Sequence, residues 1–244
     1  CSPGTRAPAP AGADRILHSQ IPSIQSAHDR WLQQEWFVRG GSVQAACFAK
    51  DFGIGMNIAG GTHHAFANRG EGFCILNDLA ITANYLLRSK LAQKVLIVDL
   101  DVHQGNGTAA LFQENPSVFT FSMHGEKNYP HRKERSDLDI GLADGTDDAS
   151  YLAILDWNLK KLIDEVKPDF MLYQSGVDVL ASDQLGRLSL TLEGVYARDR
   201  LVLSTAKSQE IPIMCCMGGG YSKRIKDIVE AHAQVFRLAQ DLFF

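Results

Sequence analysis

Apolar residues along this chain fall into two alternating textures. Short continuous runs bounded by glycine, proline or charge read as buried strands: Gly55–Ile58, Lys94–Leu100, Val118–Met123, Phe170–Ser175 and Ile211–Met217. Longer stretches with apolar residues three and four apart read as helices: Ala27–Lys50 with a break expected near Gly40-Gly41, Ile75–Leu87, Ser150–Glu165, Leu192–Ser208 and Lys226–Leu242. Strands alternating with helices predict an α/β fold, a parallel sheet covered by helices on both faces. No internal repeat and no long linker interrupts the alternation.

Four predicted strand ends carry polar clusters, and in a parallel sheet such ends share one edge, where open α/β sheets place ligands. After the run Val95–Val98 come Asp99-Leu-Asp101-Val-His103-Gln-Gly-Asn106-Gly. Alternation in an extended chain puts Asp99, Asp101 and His103 on one side, where they can converge on a cation. Carboxylate and imidazole together suit zinc, and iron(II) or cobalt would fit the same donors. The segment also reads as a polar loop capping the next helix. Asp178, in Ser175-Gly-Val-Asp178, either N-caps the next segment or joins Asp101 and His103 as a third ligand, leaving a position open for water. His63-His64 come after a Gly60-Gly61 turn, and with His103 and His124 they make four of the eight histidines that fall in or beside strand ends. Tyr221 ends the run Met217-Gly-Gly-Gly, as a core tyrosine in a turn or as a phenol aimed at a developing oxyanion. Gly105-Asn-Gly107-Thr-Ala-Ala110 matches the dinucleotide fingerprint. Asp99 and Asp101 would repel a pyrophosphate there and attract a metal, so the metal reading wins.

Composition narrows the classes further. The 244 residues suffice for one large domain and are too few for two comfortable ones. Hydrophobic content of 45% and charged content of 21% are those of a globular protein. A net charge of −4 provides no basic footprint for nucleic acid, and no apolar run approaches the ~20 residues that span a bilayer. The five cysteines form no CxxC pair, which points to a reducing compartment, the cytoplasm, with the nucleus left open. Residues 1–13, rich in Pro, Gly and Ala, read as a flexible tail before a single domain over 14–244.

Taken together, GGTHHAFANRGEGFCILNDLA, VLIVDLDVHQGNGT, SGVDVLASDQLGRLSLT and GGGY, from about Gly60 to Tyr221, resemble the zinc-dependent histone deacetylases. That family includes bacterial deacetylase-like amidohydrolases and acetylpolyamine amidohydrolases. Gln104 and Asn106, where many members carry His and Asp, look most like the class IV branch and its bacterial relatives. The resemblance implies an arginase-like three-layer fold on an eight-stranded parallel sheet, although no counterpart of the usual first strand is visible. It implies zinc on Asp101, His103 and Asp178, and a histidine pair in which Asp99 orients His63 and Asn106 orients His64. His64 would act as general base and then acid, and Tyr221 would stabilise the oxyanion. Gly72, Phe73 and Leu185 would line a narrow channel for an acylated lysine. A potassium ion would be held by Asp99, Asp101, His103 and Ser122, with backbone carbonyls such as that of Met123. Met217 replaces a glycine common before this turn.

The expected activity is therefore zinc-dependent hydrolysis of the amide of an acylated lysine, in a peptide or protein. An acetylpolyamine or other small amide is the alternative substrate, and a catalytically silent acyl-lysine binding module is the alternative of another class. No nucleic-acid or membrane partner is expected, and the oligomeric state stays open.

Overall fold

The structure is a computed structural model that describes the backbone of residues 27–244 and side chains from residue 37. The expected tail and the domain start at residue 14 lie outside the described residues. Six strands form one sheet: β1 (Ile54–Asn57), β2 (Val95–Asp99), β3 (Val118–Gly125), β4 (Leu138–Leu142), β5 (Phe170–Gln174) and β6 (Ile213–Cys216). Their order is β1-β6-β5-β2-β3-β4, and every neighbouring pair is parallel. Six helices connect them among the described residues: α1 (Ala27–Phe52), α2 (Asp78–Arg88), α3 (Asn106–Phe112), α4 (Asp148–Val166), α5 (Leu192–Ser208) and α6 (Ile225–Phe243).

Alternation along β2 explains the three layers. Leu96 and Val98 face a core shared with Tyr151 and Leu155 of α4, Val202 of α5 and Val235 of α6. Val95 and Ile97 face a second core built with Ala46 of α1, Leu79 and Leu86 of α2 and Phe112 of α3. Each such side chain stabilises the fold by about 1.5–3 kcal/mol when fully buried, which is why the central strands are apolar on both faces. At β1 the α1 helix comes very close. A Cβ on Gly55 would lie 1.8 Å from the Ala45 carbonyl oxygen, so this contact requires glycine.

The structure corrects the sequence expectations in four places. Helix α1 runs unbroken through Gly40-Gly41, because Asn57 packs where a side chain on Gly41 would stand and donates to Val38 O and Ser42 Oγ. Strand β4 alternates exposed and part-buried positions until Leu142, so its pattern is that of an edge and not of a continuous apolar run. Helix α3 has seven residues, about two turns, too few for a periodicity to register. Finally, the resemblance implies eight strands and the described residues pair as six. The remaining connections, such as residues 58–77 and 175–191, are loops rich in glycine and polar residues, with no continuous apolar run longer than Phe73–Leu76.

Candidate metal centre and active site

The carboxyl ends of β1, β2, β5 and β6 lie together, and the loops leaving them build one site. Asp99 ends β2 opposite Ser122 of β3 and Gln174 of β5. Beyond it the chain leaves the strand, so Asp99 and Asp101 part company. Asp101, His103 and Asp178 bring one ligand atom each within 4.8 Å of one another. His103 Nδ1 lies 3.0 Å from Asp101 Oδ1 and 3.1 Å from Asp178 Oδ2. Each carboxylate has its other oxygen anchored. Asp101 Oδ2 accepts from Gln174 Nε2 and from the Gly219 amide, both at 2.9 Å, and Asp178 Oδ1 accepts from the Val102 amide at 2.9 Å. The remaining oxygens, Asp101 Oδ1 and Asp178 Oδ2, both face His103 Nδ1, and Asp101 Oδ1 also accepts from the His103 amide at 2.9 Å. Asp99 stands outside this set, which corrects the expectation that it shares the cation with Asp101 and His103.

Two buried carboxylates and a half-buried imidazole press against one another in this cluster. Burial alone would lower His103, yet hydrogen bonds to Asp101 and Asp178 and their charges push it up to about 10. Asp178 is pushed up to about 7 by burial and by the Asp101 charge. Two buried carboxylates, each anchored by a fixed donor, and one imidazole match the hard and borderline donors that zinc takes.

Beside the cluster lie the two tandem histidines, their rings 4.1 Å apart. His63 Nδ1 is 2.7 Å from Asp99 Oδ2. Burial works against its proton, but the charges of Asp99 and Asp101 outweigh burial and raise His63 to about 9. His64 Nδ1 lies 2.7 Å from Asn106 Oδ1. Burial and the charge of His63 lower it to about 3. The surroundings of this one dipeptide thus push its two rings in opposite directions.

His63, His64, Asp101, His103 and Asp178 open into one cavity of about 630 Å³, lined also by Gly72, Phe73, Leu185 and Tyr221. Gly72 has φ +52°, and a Cβ there would meet the His64 ring at 2.5 Å, so the channel wall rests directly on the histidine. Phe73 and Tyr221 face each other with ring centroids 6.5 Å apart. The Tyr221 phenol is pushed up to about 12 by burial and by the charges of Asp101 and Asp178, so it stays a donor. Ser122 and Met123 lie on β3, Ser122 bonded to His124 Nδ1 at 2.9 Å and Met123 with its side chain in the core. Asp99 is engaged with His63 and with the Asp101 amide.

Sequence reasoning missed several contributors. Arg198 is fully buried and donates to the carbonyls of Leu100, Ser175 and Gly176, stitching both ligand loops together. Tyr129 stands edge-on to His64 at 5.1 Å. Glu71 bonds Asn106 and Tyr129. Only Glu71 had a visible signal, its place beside Gly72-Phe73. Gln104, read as a departure from the family, anchors the Glu134 backbone and Asp139.

A sequence profile for the histone deacetylase domain matches residues 19–236. An uncharacterised protein of Picosynechococcus sp. is 52% identical over 84% of this chain and 68% of its own length. Histone deacetylase 2 of Arabidopsis thaliana is 34% identical over 75% of this chain, and the acetoin utilization protein AcuC of Staphylococcus aureus is 36% identical over 75%. The aligned parts make up 48% and 50% of those two proteins, so the chain spans about half their length. With the profile covering most of the chain and these relatives aligned over three quarters of it or more, this protein belongs to the histone deacetylase family.

Proposed function

We propose that this chain hydrolyses the amide of an acylated lysine or a related acylated amine, with zinc held by Asp101, His103 and Asp178. The observation that carries this reading is the donor set of Asp101, His103 and Asp178 lining one cavity with His63, His64 and Tyr221. Zinc bound there would supply an acidified water and a polarised acyl carbonyl. His64, neutral and with its Nδ1–H tied to Asn106, takes the proton of the attacking water at Nε2. It returns that proton to the departing amine. His63 stays protonated on Asp99 and offers positive charge to the developing oxyanion, and the Tyr221 phenol donates to the same oxygen. Phe73, Gly72 and Leu185 enclose the aliphatic stem of the substrate and exclude water.

The test is metal analysis paired with turnover of acetyl-lysine peptides and acetylpolyamines. Chelation should abolish hydrolysis and zinc should restore it. Full activity in a demonstrably metal-free preparation would overturn the reading, and preference for the polyamines would move the substrate to that class.

A further inference from the structure

We propose that Glu71 is a positioning residue which locks the side-chain amide of Asn106 in one orientation and thereby sets the tautomer of His64. A carboxamide can be reversed with almost no change in shape, and its neighbours decide which end points where. Asn106 lies between two neighbours. On one side is His64 Nδ1 at 2.7 Å, and on the other is Glu71 Oε1 at 2.7 Å. An ionised carboxylate can only accept hydrogen bonds. The end of Asn106 facing Glu71 must therefore be the NH₂ group, which turns its oxygen toward His64. That oxygen in turn requires the imidazole proton on Nδ1 and leaves the lone pair on Nε2, where a base needs it.

Glu71 is itself held for this task. Its Oε1 also accepts from the Tyr129 hydroxyl at 2.6 Å, and its Oε2 accepts from Arg69 Nε at 3.1 Å. The Tyr129 bond is the chief cause that keeps the Glu71 carboxyl below the usual range; burial opposes it, and Asn106 and Arg69 add to the lowering. Tyr129 stands with its ring at 84° to that of His64, so one residue braces both ends of the chain of contacts. Without Glu71 the amide could turn over, present N–H to Nδ1 and shift the imidazole proton to Nε2. Where many family members are read as carrying an aspartate, this chain reaches a similar result with a neutral amide and a carboxylate one step behind.

The catalytic part of this inference rests on the deacylase reading, but the tautomer does not. The experiment therefore has two arms on the zinc-loaded protein: ¹⁵N NMR of the His64 ring at neutral pH, and steady-state kinetics with an acetyl-lysine peptide. The unaltered protein should carry its proton on Nδ1. Glu71→Ala should give a mixed or reversed tautomer and lower kcat by about 10- to 100-fold, the usual cost of removing an orienting partner, with KM little changed because Glu71 does not line the cavity. Glu71→Gln with Arg69→Ala removes the N–H that would oppose the new NH₂, keeps an acceptor oxygen toward Asn106 and Tyr129, and should restore both tautomer and kcat. A Glu71→Ala protein that keeps the Nδ1–H tautomer overturns the proposal whatever its activity, as does that double variant behaving like Ala. If the unaltered protein hydrolyses no acyl amide, the functional reading fails, and the NMR arm still decides the role of Glu71.

Discussion

At the scale of single residues, His63 and His64 share a sequence position in all but one peptide bond, and only their partners separate them. Asp99 supplies a full negative charge to one ring, and Asn106 supplies a hydrogen bond without charge to the other. His64 must be neutral to act as base, so activity is lost as pH falls through its pKa, and its depression to about 3 places that loss far below neutrality. Asn106→Asp puts a carboxylate beside the ring. Even if the new group shares a proton with nearby Glu71, one negative charge remains to stabilise the imidazolium and raise its pKa. The acidic limb of kcat/KM against pH should move upward in this variant. An unmoved limb, or one shifted downward, would retire the pairing of Asn106 with His64. Tyr221 offers a cleaner deletion. Tyr221→Phe keeps the ring against Phe73 and loses only the donor, so kcat should fall roughly 100- to 1,000-fold with KM little altered. Unchanged kcat in steady-state assays would make Tyr221 merely part of the channel wall.

At the scale of elements, the site depends on residues that end one element and fasten another. Asn77 caps α2 by accepting from the Ala80 amide at 2.9 Å. Its Nδ2 donates to the His63 and Ala65 carbonyls, both at 3.3 Å, and to Thr108 Oγ1 at 3.0 Å. One buried side chain therefore ties the helix, the histidine loop and α3 together. Asn77→Ala should cost about 1 kcal/mol for the cap and roughly 1–2 kcal/mol more for the Ala65 carbonyl left unpaired. For a chain of this size that lowers Tm by about 4–12 °C. Thermal denaturation decides it, and a Tm within the error of the unaltered protein would show that water replaces these bonds at no cost. The same scale shows where pattern reading stops. The central strands and the four long helices after residue 75 are legible because burial on fixed periods demands apolar residues. Strand β4 and helix α3 are not, since one is half-solvated and the other spans about two turns.

For the whole molecule, ligand binding and folding are linked, because the three proposed ligands sit on loops from separate parts of the chain. A metal that binds only the folded state adds about 2.7 kcal/mol at a hundredfold excess over its Kd, which for this size raises Tm by about 5–11 °C. Zinc should produce that shift in the unaltered protein, and Asp178→Asn, lacking one charged ligand, should show little of it at the same zinc concentration. Equal shifts in both proteins would place the zinc elsewhere. What the sequence by itself determined was the alternation of strand and helix, the polar strand ends and the residue types suited to metal and proton chemistry, because each is written in local periodicity or in short motifs. Which carboxylate joins which centre was decided by tertiary structure alone. Asp99 and Asp101 would share one side of a continued strand, but the strand ends at Asp99, and Asp101 turns toward Gln174 and Gly219, which lie 73 and 118 residues away. Burial, charge and amide orientation likewise come from residues distant in sequence, so the opposite titration of His63 and His64, the grip of Arg198 on both ligand loops and the place of Glu71 behind Asn106 arise only when the chain folds.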